Sequence, residues 1–257
     1  MSSGARSRPR VLPRRRKPSV AARARPFWVL AALALAVLVA VGAWLAQAPF
    51  FRITHVGIEV PLGSPVSVTQ VRTAAAIAPE ANLWLLSPGA IARRIEAIPY
   101  VDRASIHRLQ FPAPSVELGI TVRRPAFCWQ SGGAEVTLDD TGRVLQLGCI
   151  GPASPRLIAV AAPPAPGETV TDPGVVRLLT DAATLAGAGL SMRRLGWDRW
   201  GGLEGVDASG VILRLGDDAD LAAKAALVGP VRAGIGAKRT VRAIDLRAPG
   251  TPTVEFR

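Results

Sequence analysis

Residues 87–122 read SPGAIARRIEAIPYVDRASIHRLQFPAPSVELGITV, and the change of hydrophobic period inside this stretch decides the fold. Ile91, Ile95 and Ile98 recur at i, i+4 and i+7 while Arg93, Arg94 and Glu96 point away, which is the pattern of an amphipathic helix. Ser87-Pro88 puts a proline in the first turn, where its missing N–H is no loss, and Pro99 ends the helix. From Val101 the period falls to two. Val101 to Leu109 carries Ala104 and Ile106 on one face, and a Pro112-Ala113-Pro114 turn follows. Val116, Leu118, Ile120 and Val122 then alternate with Glu117, Gly119, Thr121 and Arg123, so two strands follow the helix.

Upstream, FRITHVGIEV (residues 51–60) alternates through Thr54, Val56, Ile58 and Val60 as a half-buried strand does, and Pro61 to Pro65 break it. Ser67 followed by Gln70 is a capping box, and Val68, Val71, Ala75 and Ala78 line one face of a short helix before Pro79. The order strand, helix, helix, strand, strand over residues 51–124 is that of a POTRA module. Such a module is an open sheet covered by helices on one face, with a free edge that another chain can extend.

Further upstream, Phe27 to Ala46 (FWVLAALALAVLVAVGAWLA) contains no charge and is long enough, as a helix, to cross a bilayer. Nine Arg and Lys residues and no acid precede it, so residues 1–26 read as a disordered, cytoplasmic basic tail against anionic lipid, with the remainder of the chain exported. Ala46-Gln47-Ala48 has the spacing of a signal-peptide cleavage site, but the apolar run exceeds a signal h-region and Pro49 would follow the scissile bond. Twin-arginine export is disfavoured by the polar Lys17-Pro18-Ser19 after the arginine run. The tail supplies most of the net charge of +12, and it lacks aromatic residues, so nucleic-acid binding loses its support.

Downstream, residues 125–257 read as a second, strand-rich α+β domain. Phe127 to Gln130, Glu135 to Leu138 and Arg143 to Leu147 are short strands, the last two joined by a turn at Asp139 to Gly142. Ala161 to Pro173 reads as a surface loop, and Val175, Leu178, Ala182 and Leu185 recur at helical spacing. Val211, Leu213 and Leu215 alternate, a helix runs from Asp217 with acids in its first turn and Pro230 ending or kinking it, and Arg239 to Leu246 and Thr253 to Phe256 close the chain as strands. Cys128 and Cys149 form either one disulfide or two buried free thiols, because the sequence does not fix their separation in space.

Catalytic chemistry is not visible. Asp140-Thr141-Gly142 matches an aspartic-protease tripeptide, but no second copy supplies the paired carboxylate, and the position suits a hairpin turn. His55 and His107 sit on strands without metal-ligand spacing, and Gly187-x-Gly189 follows a helix where a dinucleotide fingerprint needs a strand. Trp28 and Trp44 suit the membrane boundaries, while Trp84, Trp129, Trp197 and Trp200 read as core or loop anchors. Neither a cofactor nor a metal nor a small-molecule substrate is expected.

The basic tail, the single span, FRITHVGIEV, the stretch IARRIEAIPYVDRASIHRLQFPAPSVELGITVRRPAFCW, the turn LDDTGRVL and the late AIDLR, in that order, resemble the FtsQ/DivIB family of bacterial cell-division proteins. One departure is Arg123-Arg124-Pro125, where the family commonly has an acid before Arg-Pro, which puts a pairing role of that position in doubt. The resemblance implies a non-enzymatic, bitopic scaffold of the inner membrane at the division septum, linking other division proteins through its periplasmic domains. It also implies that the POTRA edge, including Val116 to Val122, serves localisation, and that FtsB/FtsL-like partners dock on the last strand at Thr253, Val254, Glu255 and Phe256 with Arg247 as a charged rim contact. The alternatives are a POTRA-bearing secretion or assembly factor, which would need a long series of barrel strands, and a membrane-tethered hydrolase, which would need a catalytic constellation.

Overall fold

The computed structural model describes residues 20–150, 155–235 and 240–257; the expected tail through residue 19 and Arg239 lie outside the described residues. Helix α1 (Val20–Gln47) starts before the apolar run, which corrects the expectation of a disordered segment through residue 26. The alanines and arginines of residues 21–25 are strong helix formers and carry the helix upstream. Its segment Phe27–Gln47 is long and apolar enough to cross a membrane, and its apolar window is nowhere buried against the rest of the chain.

After a short turn at Pro49–Phe51 the chain forms β1 (His55–Glu59), α2 (Val68–Ala75), α3 (Pro88–Glu96), β2 (Val101–Leu109) and β3 (Ser115–Val122). The capping box opens α2: Gln70 N donates to Ser67 Oγ at 3.1 Å and Ser67 N donates to Gln70 Oε1 at 2.9 Å. The helix ends earlier than the apolar pattern implies, because Ala76 turns left-handed at φ 46°, leaving Ala78 exposed and outside it. Arg94 of α3 closes that end by donating to the carbonyls of Ala74, at 3.2 Å, and Ala75. Ile91 and Ile95 bury against Val71, Ala75, Val116, Leu118 and Ile120.

The strand order is β1-β3-β2, with β1 parallel and β2 antiparallel to β3. Val116 to Val122 therefore belongs to the middle strand of this sheet rather than its edge, with both sides of the backbone paired as far as Gly119 and residues 120–122 paired with β2. The edges belong to β1 and β2, which also carry the two exposed histidines, His55 and His107.

The rest of the chain builds one long sheet from β4 (Phe127–Ser131), β5 (Ala134–Leu138), β6 (Val144–Leu147), β7 (Arg156–Ile158), β8 (Met192–Trp197), β9 (Leu203–Asp207), β10 (Ile212–Gly216), β11 (Val241–Asp245) and β12 (Thr253–Phe256). Its order is β12-β11-β10-β9-β8-β7-β4-β5-β6. Helices α4 (Pro173–Gly187) and α5 (Leu221–Ala233) belong to the same unit. Val175, Leu178, Ala182 and Leu185 of α4 join Leu157, Leu195 and Leu213 of the sheet in one core.

Three readings are corrected here. Pro173 is the first residue of α4, capped by Asp172 Oδ1 accepting from Val175 N at 3.0 Å, and Val170 within the expected surface loop is buried. Helix α5 starts at Leu221, with no acid in its first turn. Asp217 instead folds over the buried Lys224, whose Nζ donates to Asp217 Oδ1 at 2.5 Å and to the carbonyls of Leu215 and Asp217 at 2.9 Å each. Of the two outcomes expected at Pro230, an end or a kink, the end does not occur: Pro230 lies inside α5, which continues to Ala233, with Gly234 N donating to Pro230 O at 3.0 Å.

The two sheets are clamped together. Leu145 of β6 is buried in the core beneath α2 and α3, Tyr100 Oη donates to Gln146 Oε1 at 2.7 Å, and Arg143 Nη2 donates to Glu96 O at 3.0 Å. Arg123 stands at the junction and bridges Asp102 at 3.0 Å and Asp139 at 2.7 Å, while its Nε donates to Val101 O at 3.1 Å. The position whose pairing role looked doubtful thus forms a pair of its own. Asp139 is almost wholly buried, and its Oδ1 shapes the β5–β6 turn by accepting from Thr141 N, Thr141 Oγ1 and Arg143 N at 2.9, 2.8 and 2.8 Å. Gly142 at φ 82° completes that turn, and a Cβ there would meet Leu179 Cδ1 at 2.9 Å.

Candidate functional site

Strand β12 is the outermost strand of the long sheet. It pairs antiparallel with β11 through Thr253 opposite Asp245, Val254 opposite Ile244, Glu255 opposite Ala243 and, past a bulge, Phe256 opposite Val241. Arg257 N donates to Thr240 O at 2.9 Å and lengthens the ladder by one rung. Ala243, Ile244 and Leu246 bury into the core and fix β11, so β12 rests on a rigid neighbour. Val254 is half-buried, whereas Thr253, Glu255 and Phe256 are exposed. Among the described residues no strand covers the outer side of β12, which leaves a row of backbone donors and acceptors for another chain.

Charges fix the face beside this edge. Arg214 of β10 reaches across β11 to Glu255 at 2.6 Å and approaches Glu204 of β9 at 3.5 Å, tying three strands together on one face. The hydrogen bond from Arg214 holds the Glu255 carboxyl below its ordinary value. Arg247, expected as a rim contact, donates through Nε to both carboxylate oxygens of Asp245 at 3.0 Å, and this keeps the Asp245 carboxyl low. Of the five residues singled out from the sequence, Thr253, Val254, Glu255 and Phe256 thus form the outermost strand, and Arg247 lies in the connection between β11 and β12.

A feature absent from the sequence reading adjoins them. Asp198, Arg199, Trp200, Glu204, Arg214 and Arg247 line an open cleft of about 450 Å³. Trp200, expected to be a core or loop anchor, is exposed here beneath Arg199, whose guanidinium carbon sits 4.8 Å from the ring centroid. Asp198 Oδ1 holds the loop by accepting from Trp200 N and Gly202 N at 2.8 Å each. The sequence signal was the WDRWGG turn (residues 197–202), whose acid and glycines mark a tight loop. Of the other tryptophans that follow α1, Trp129 is core, Trp197 is half-buried under Arg177, and Trp84 is exposed.

Cys128 and Cys149 lie away from this edge and are joined by a disulfide, with Cα atoms 5.4 Å apart. The bond runs from β4 to the end of β6, across the intervening β5. Glu135 lies beside it but pairs with Arg156 at 3.0 Å, so this grouping is a disulfide flanked by an ion pair rather than a set of metal ligands.

A family model described as the FtsQ-type POTRA domain matches residues 52–122. The cell division protein FtsQ of Chloroflexus aurantiacus is 31% identical over 126 residues, which cover 45% of this chain and 43% of that relative. Residues 52–122 thus carry a POTRA domain of the FtsQ type, and part of the chain is similar to an FtsQ cell division protein. The match spans less than half the length of that relative, and the POTRA segment it shares with the family carries the three-stranded sheet β1-β3-β2.

Proposed function

We propose that this protein is a single-pass membrane scaffold of the bacterial division machinery that acts by holding partners rather than by catalysis. Its basic N-terminal segment stays in the cytoplasm, α1 spans the inner membrane, and both sheets lie in the periplasm at the division septum. The POTRA unit of residues 51–124 and the domain of residues 125–257 work as one body. Strand β12 receives an extended segment of a bitopic partner of the FtsB/FtsL kind, which adds as a further strand and places alternate side chains against Val254 and the Trp200 cleft.

The observation that carries this reading is the inequality of the two ends of the long sheet. At one end β6 is occupied: Val144 N donates to Glu168 O and Gly167 N to Val144 O, both at 2.8 Å, and Leu145 is sunk in the neighbouring core. At the other end, among the described residues, no further strand pairs with β12, which lies beside an aromatic and charged cleft. The relative's name supports the division setting. The test uses the full chain with Val254→Pro, which removes a backbone donor and forbids regular pairing, compared with deletion of Thr251 to Arg257. Both should abolish co-purification of FtsB/FtsL-like proteins while the POTRA unit keeps its fold, and unchanged capture by the truncated chain would refute the assignment.

A further inference from the structure

Five of the exposed large apolar side chains outside α1 gather at the end of that helix, while others such as Leu62, Val160 and Trp200 stand apart. Phe50, Trp84, Leu85, Leu109 and Phe111 are 60%, 55%, 69%, 39% and 77% exposed, and all five belong to segments bonded to the chain that leaves the helix. Asn82 Nδ2 donates to Ala46 O, in the last turn of α1, at 2.8 Å. Leu83 N donates to Phe51 O at 2.8 Å, and Arg52 pairs with Asn82 as an isolated antiparallel bridge. On the other flank Gln110 Nε2 donates to Phe50 O at 3.2 Å, and Thr54 N donates to Pro114 O at 2.9 Å. These bonds gather three segments, residues 50–54, 82–85 and 109–114, into a collar around the end of the span, with Arg108 placing its guanidinium carbon 5.3 Å from the centroid of the Trp84 ring.

We infer that this collar seats in the headgroup layer of the outer leaflet and fixes the orientation of the POTRA unit on the membrane, an inference that rests on α1 spanning the bilayer. The occupant is lipid because the surface is continuous with the span. The helix ends at Gln47, only Ala48 separates it from the Pro49–Phe51 turn, and the Asn82 bond leaves no slack by which the collar could move away from the interface. Its composition suits that layer. An indole and two phenyl rings prefer the boundary between hydrocarbon and water, and the Arg108 cation beside Trp84 is placed to meet lipid phosphate. A patch of this kind on a free-standing domain would promote aggregation, whereas against a bilayer its area is covered.

The test reconstitutes the full chain in vesicles of phosphatidylcholine and phosphatidylglycerol containing lipid brominated near the headgroup end of the acyl chain. In the Trp28→Phe/Trp44→Phe background the remaining tryptophans are Trp84, Trp129, Trp197 and Trp200. Part of their emission should be quenched by the brominated lipid, and adding Trp84→Phe should remove that quenching. Leu85→Asp, which leaves Trp84 in place, should reduce it. Absence of quenching in the background protein, or quenching that survives Trp84→Phe, overturns the inference. The chain with all its tryptophans separates the two levels: quenching there but not in the background means that α1 spans while the collar stays in water, and quenching in neither removes the span together with the collar.

Discussion

Replacing Arg123 with alanine probes the clamp between the two sheets. Asp139 is 1% exposed and the Arg123 side chain 17%, so this arm of the pair is sheltered from solvent, whereas the Asp102 arm is 47% exposed. Removing one partner of a buried pair costs roughly 3–5 kcal/mol. Asp139 keeps three donors on Oδ1, which places the loss at the low end, and the exposed arm adds little. A loss of about 3 kcal/mol corresponds to a fall in Tm of roughly 6–12 °C for a domain of this size. The assay is thermal unfolding of the full chain in detergent, followed by near-ultraviolet circular dichroism of the buried Trp129. The pH dependence has a definite sign. Burial raises the Asp139 carboxyl, but the Arg123 hydrogen bond and those from Thr141 and Arg143 outweigh it and hold it below its ordinary value. The stabilisation it gives is present above the unfolded carboxyl value near 4 and is lost as pH falls through the lower folded value. The difference in Tm between wild type and Arg123→Ala should therefore be full at neutral pH and shrink below about pH 4. A double-mutant cycle with Asp139→Asn should return a coupling of about 2 kcal/mol. A Tm change under about 2 °C, or a coupling under about 0.5 kcal/mol, would refute the clamp.

Asp181 is buried and its Oδ2 lacks a hydrogen-bond partner; burial, and secondarily Asp218, raise its carboxyl against the opposing pull of Arg177. Its ionisation works against the fold once pH exceeds the unfolded value, so Asp181→Asn should raise stability by roughly 1–2 kcal/mol at neutral pH, with the gain vanishing near pH 4. A lower Tm for that variant at neutral pH would show that the charge is needed. Cys128 and Cys149 lie 21 residues apart. Replacing both with serine should cost about 3 kcal/mol by loop-closure entropy, and urea unfolding of the wild type with and without reductant should show the same difference.

The elements that the sequence disclosed are those whose apolar period is complete within one segment. Ile91 and Ile95, the alternating Val116, Leu118 and Ile120, and Val175, Leu178, Ala182 and Leu185 all point into cores as their spacing implies. Strands β7, β8 and β9 escaped notice for a reason. RLI has three residues, MRRLGW sets two arginines side by side, and LEGVD mixes acids with a glycine, so each becomes a strand only through neighbours distant in the chain. Strand order was hidden in the same way. Placing β3 in the middle needs the parallel pairing of His55 with Ser115, which no local pattern encodes. The residues of the candidate edge could be named from family likeness, but their outermost position required the order of all nine strands, and the Trp200 cleft required β9, β10 and the loop after β8 to come together.

That order bears on how binding at β12 would reach the membrane. The long sheet is hydrogen-bonded without interruption from β12 to β6, and β6 is fastened to the POTRA unit by Leu145, by the Tyr100–Gln146 bond, by Arg143 on Glu96 and, through the turn that precedes it, by Arg123 on Asp139. The POTRA unit is held in turn to the end of α1 by Asn82. A partner strand at the proposed β12 site would therefore be set in a fixed direction relative to α1, through elements that are bonded to one another among the described residues. The Arg123→Ala variant separates affinity from orientation. It leaves β12, β11 and the cleft untouched, so capture of a partner in detergent should be unchanged, while the angle between the long sheet and the membrane should become variable in reconstituted particles imaged by electron microscopy. Weakened capture by that variant would mean that the edge depends on the clamp for its own structure, and the continuous sheet would then be a poor description of how the two ends are connected.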